Sequence, residues 1–130
     1  MTMLNRMPEH GVVRRERLFE SRNFGKAKDS YYSYGEAQLT REGDLILYTR
    51  DSGYWVALMI GEMVALYHQW SIVPAADLPR LLGDEPPVEA LRASLNIRPD
   101  EHSIDVHKRF HDWLTAASVS ARHESYDEYD

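Results

Sequence analysis

Residues 45–73 constrain this chain most, because no other long segment is dominated by apolar and aromatic side chains. The stretch reads Leu45-Ile46-Leu47-Tyr48-Thr49-Arg50, breaks at Asp51-Ser52-Gly53, resumes from Tyr54 to Ile60, breaks at Gly61-Glu62 and continues from Met63 to Val73. Short apolar runs separated by glycine-containing breaks fit antiparallel strands joined by tight turns. Residues 36–40 and 44–50 add a hairpin around Arg41-Glu42-Gly43, where Gly43 can supply the positive φ that such a turn needs. In the run 54–60, Tyr54, Val56, Leu58 and Ile60 alternate with Trp55, Ala57 and Met59, so both faces are apolar. That pattern predicts a central strand covered on both sides, or a face used in binding.

Pro74 cannot donate to a ladder and closes the sheet portion. Beyond it, Leu78, Leu81 and Leu82 share a face between Asp77 and Gly83, and Val88, Leu91 and Leu95 form a stripe that ends at Asn96. The clearest helix places Val106, Phe110, Trp113, Leu114, Ala117 and Ala121 together at about 3.6 residues per turn. The expected architecture is α+β: an antiparallel β-meander of about four strands (residues 36–73), then three helices (77–82, 86–96 and 103–122) packed on the sheet. Residues 12–19 favour a further strand although neither face is cleanly apolar, and 21–29 read as a loop. A mobile segment is expected at 1–11 and an acidic, solvated tail at 123–130.

One domain suits 130 residues, and 43% hydrophobic composition excludes wholesale disorder. Glu62, His68 and Gln69 interrupt the best apolar stretch, and no signal-like apolar block follows Arg6, so a cytosolic protein is expected. The absence of cysteine excludes disulfides and thiol chemistry. Charge is uneven: residues 1–50 hold 9 Lys+Arg against 7 Asp+Glu, residues 51–130 hold 6 against 14, and the total is -6. A polyanion is repelled by such a chain and a basic protein surface is attracted.

No motif names a reaction. His107 and His111, four apart on a helix, can in principle share a metal ion, with Glu101 or Asp105 adding a carboxylate. Lys108 stands where a metalloprotease signature has glutamate, and two half-exposed histidines beside a core stripe are the more ordinary reading. His68 falls on an apolar face and reads as a core histidine, and neither Ser52 nor Ser71 has a glycine elbow around it. Phosphate-binding glycine loops are absent, so no cofactor is expected. Arg14, Arg15, Arg17, Arg22 and Lys26 offer a basic segment, but Glu9, Glu16, Glu20 and Asp29 dilute it, and direct nucleic-acid binding is not expected.

Two constellations remain for a protein partner. Tyr31, Tyr32 and Tyr34 can close a core edge or form a binding platform, and Glu89, Asp105 and Asp112 can present carboxylates from the helical half. The functional expectation is a non-enzymatic protein-binding module, in its most concrete form an acidic inhibitor that occupies a basic, nucleic-acid-handling surface, as anti-restriction and anti-CRISPR proteins do. The alternatives are a small metal-dependent hydrolase using His107 and His111, and a nucleic-acid binder using the basic segment. An apolar two-faced strand also leaves a homodimer open.

Overall fold

The computed structural model describes residues 7–23 and 30–129. Five strands, β1 (Val12–Asn23), β2 (Tyr31–Thr40), β3 (Leu45–Gly53), β4 (Val64–Val73) and β5 (Arg122–Tyr129), form one antiparallel sheet in chain order. The helices are α1 (Tyr54–Met59), α2 (Leu78–Leu82) after a single 3-10 turn, α3 (Pro87–Leu95) and α4 (Ser103–Ala116). The α+β class and the three helices after the meander are as expected. Strand β1 runs on into the expected loop 21–29, of which 24–29 lie outside the described residues, β2 begins at Tyr31 rather than at 36, and two larger differences follow.

The first difference is the run 54–60, which is helical rather than the third strand of a meander. Gly53 takes φ +116°, and a side chain there would strike the Ser30 carbonyl oxygen, so the chain can turn out of β3 only at glycine. Asp51-Ser52-Gly53 is accordingly the end of β3 and not a hairpin turn. Helix α1 then buries Val56 and sets Trp55 edge-on to Tyr67, while Leu58 and Met59 stay 68% and 72% exposed. The two apolar faces of the sequence are thus one buried anchor and one exposed apolar surface.

The second difference is the carboxy-terminal segment. Helix α4 stops at Ala116 instead of 122, because Ser118 adopts φ +56° and the Val119 N–H donates back to the Leu114 carbonyl at 2.9 Å. Residues 122–129 then pair with β4, Tyr126 opposite His68 and Glu124 opposite Trp70. The expected solvated tail is an edge strand whose charges discourage pairing with other chains.

Strand β1 extends to Asn23, and its register slips between Val12 and Arg14 and again between Arg17 and Phe19. The second slip lets the neighbours Leu18 and Phe19 both be buried, which is why simple alternation fails there. Phe19 lies over Gly35, where an added Cβ would clash with its ring.

Helices α2, α3 and α4 cover one face. Leu45, Leu47, Ala37 and Val73 meet Leu78, Val88, Leu91, Val106, Phe110 and Leu114 there. Helix α4 is also tied by polar groups. The Asp51 carboxylate accepts from the Ser33 and Ser103 hydroxyls, both at 2.6 Å, and one helical turn on His107 Nε2 lies 2.8 Å from the Thr49 hydroxyl. Four helical residues rise about 6 Å and two strand residues about 6.6 Å, so Ser103 and His107 match Asp51 and Thr49.

Candidate functional site

On the opposite face none of the described helices packs. Alternation sends Tyr34, Glu36 and Gln38 of β2, Ile46, Tyr48 and Arg50 of β3, and His68, Trp70 and Ile72 of β4 to that side, where Tyr126 of β5 joins them. Tyr48, Trp70, Ile46 and Ile72 make a small second core. Residues 7–12 run across its edge, so that Met7 and His10 roof a cleft of about 660 Å³ floored by Tyr48, His68 and Trp70. The Gly11 carbonyl accepts from Arg41 N–H at 2.9 Å, and the His10 ring packs 5.8 Å from Trp70. The described part of the segment expected to be mobile is therefore anchored on this face.

Polar groups are arranged around the rings. Glu36 accepts from the Tyr34 hydroxyl and Gln38 Nε2, both at 2.7 Å, and from Arg15 at 3.0 Å. The Arg50 guanidinium stacks over Tyr34 at 4.2 Å. Tyr48 oxygen and His68 Nδ1 are 2.7 Å apart. One of the two donates to the other, and His68 Nε2 is the ring nitrogen left over. Glu128 Oε2 is 3.7 Å from that Nε2, beyond hydrogen-bond length. His68 Nε2 and Gln38 Oε1, in residues only 3% and 2% exposed, and the buried His10 Nε2 thus line the cleft without hydrogen-bond partners.

The titrations favour neutral groups. Burial and the hydrogen bond to Glu36 push the Tyr34 hydroxyl up to about 12, and burial raises Tyr48 against the opposing pull of Arg50. Burial holds His68 below the usual histidine range although Glu128 pulls it up. The face offers rings, buried histidine nitrogens, an amide oxygen and paired charges.

The residues singled out in the sequence are dispersed. Tyr32 and Tyr34 lie toward this face, the Tyr32 hydroxyl donating to Glu20 at 3.0 Å, whereas Tyr31 turns to the helix side against His102. Glu89 is ion-paired with Arg14, and Asp105 and Asp112 are exposed on α4, interleaved with Lys108 and Arg109. These three carboxylates therefore do not form an uninterrupted acidic row. His107 is engaged by Thr49 and His111 is exposed, and among the described residues no group of three or more histidines or carboxylates is placed to hold a metal ion. Arg14, Arg15, Arg17 and Arg22 each meet a glutamate, and Lys26 lies outside the described residues. Comparison of the chain with protein-family models, with curated proteins and with solved structures finds no match.

Sequence reasoning missed Gln38, Tyr48, Arg50, Trp70, Tyr126 and Glu128. The signal was present for β3: Tyr48 and Arg50 flank Thr49 and follow the aliphatic Leu45 to Leu47. What alternation alone withholds is which face the helices cover.

Proposed function

We propose that the protein is a non-enzymatic binding module that takes a basic protein partner on the uncovered face of its sheet, and that it acts by occupying that partner. The observation that carries this reading is the cleft itself, lined by Tyr48, Trp70 and Arg50 under Met7 and His10 and flanked by Tyr34 and Tyr126, in which the buried His10 Nε2, Gln38 Oε1 and His68 Nε2 lack hydrogen-bond partners. Tyrosine, tryptophan and arginine are the residue types in which binding energy concentrates, and buried polar groups are ordinarily paired. A basic partner is favoured by the net charge of -6 and by Glu9 and Glu128 at the cleft. Basic surfaces of this kind are characteristic of proteins that handle nucleic acid, whose action such occupation would inhibit.

The test is capture from a lysate of the native host, with and without nuclease, using wild type, a Tyr126→Ala/Glu128→Lys variant and an Asp105→Lys/Asp112→Lys variant. A stoichiometric, nuclease-resistant protein should be retained by wild type and the α4 variant. Loss is expected only from the β5 variant, and retention should weaken with salt. Equal retention by all three, or loss confined to the α4 variant, contradicts the reading.

A further inference from the structure

A second cleft of about 530 Å³ lies on the other side of the sheet, between α4, β4 and the start of β5. In a chain where about one residue in six is acidic, no carboxylate lines it. Its polar residues include Lys108, His111, His123 and Ser71, and its apolar wall is Phe110, Leu114 and Val119. Lys108 is exposed and has no ion pair among the described residues, although Asp105 and Asp112 lie three before and four after it on the same helix. Strand β5 brings His123 to the cleft, where its Nδ1 sits 3.0 Å from the Ser71 hydroxyl. The other side of the cleft is closed by His107, held by Thr49.

We propose that this cleft binds a small amphipathic carboxylate, its anionic head at Lys108, His111 and His123 and its apolar body against Phe110, Leu114 and Val119. A free ammonium beside histidine N–H and hydroxyl donors, with no competing carboxylate, is what a carboxylate head needs. The adjoining apolar wall selects a ligand with a hydrocarbon body over a bare inorganic anion. The site is independent of the uncovered face, because the sheet separates them.

Titration calorimetry with 4-phenylbutyrate, its neutral analogue 4-phenylbutanamide, inorganic phosphate and zinc tests this on the full chain. The carboxylate should bind about fivefold tighter than the amide, a difference that Lys108→Gln removes by weakening the acid alone. Lys108 is exposed, so this variant should keep the wild-type melting temperature, and His111→Gln provides a second substitution at the surface. Equal binding of acid and amide, no effect of Lys108→Gln, or no heat up to millimolar acid would overturn the proposal. Phosphate binding as tightly as the acid would overturn the role of the apolar wall. Zinc uptake that His111→Gln abolishes would replace the carboxylate by a metal.

Discussion

Asp51 and His107 are a buried acid and a half-buried base on the same side of the sheet, and desolvation moves them in opposite directions. Burial pushes the Asp51 carboxyl up to about 6, against the hydrogen bonds from Ser103 and Ser33. Burial, with the charge of His123 second, pushes His107 down to about 4. Between those values the folded chain holds Asp51 protonated while the unfolded chain does not, so Asp51 makes stability fall as pH rises. His107 does the reverse: the unfolded chain binds the proton and the folded chain excludes it, so its contribution is lost as pH falls. Each slope is about 1.4 kcal/mol per pH unit, and in wild type the two largely offset each other. Asp51→Asn should therefore make stability fall more steeply than wild type on acidification from pH 6 to 4. His107→Gln should tilt the same curve the other way. Urea denaturation at several pH values checks both, and a wild-type slope in either variant contradicts the corresponding assignment.

Elements are held together by a few buried polar contacts as well as by the apolar core, and Arg109 shows how. It donates to the Leu95 carbonyl at 3.0 Å and pairs with the Glu101 carboxylate at 2.6 Å, so it joins α4 to the end of α3 and to the loop between them. That loop in turn accepts from β1, through the Ser21 hydroxyl at 2.7 Å and the Glu20 N–H at 3.0 Å. Burial raises the Glu101 pKa, but Arg109 and Arg98 outweigh it and hold the carboxyl below its usual range. Arg109→Met should cost about 3 kcal/mol by stranding a buried carboxylate, and adding Glu101→Gln should restore part of it. Additive losses in the double variant, read from urea midpoints, contradict the coupling. The sequence displayed α3 and α4 plainly, because Val88, Leu91 and Leu95 and then Val106, Phe110 and Leu114 keep a single period. It concealed α1, since six apolar residues after a glycine fit a strand as well as a helix. It concealed β5 too: Arg122, His123, Glu124, Asp127 and Glu128 resemble a tail, and only the ladder to β4 makes them a strand.

At the scale of the molecule, the sheet has one face covered by α2, α3 and α4 and one face left to rings and paired charges. Tyr34 was legible as a candidate contact, but its companions Tyr48, Trp70 and Tyr126 became a surface only when three connections of different length brought four strands into register. Beside that face, Leu58, Met59 and Met63 are 68%, 72% and 70% exposed on α1 and the turn after it. Such an apolar surface suits an extension of the contact area. No helix among the described residues is long and apolar enough to cross a membrane. The central claim is that a protein partner sits on the uncovered face. Hydroxyl-radical footprinting of the free chain and of the complex captured from lysate tests it side chain by side chain. The account predicts that oxidation of Met7, Tyr34 and Tyr126 drops on binding while Trp113 and His111 on α4 are unchanged. Protection of Trp113 and His111 with Met7, Tyr34 and Tyr126 unchanged would contradict it.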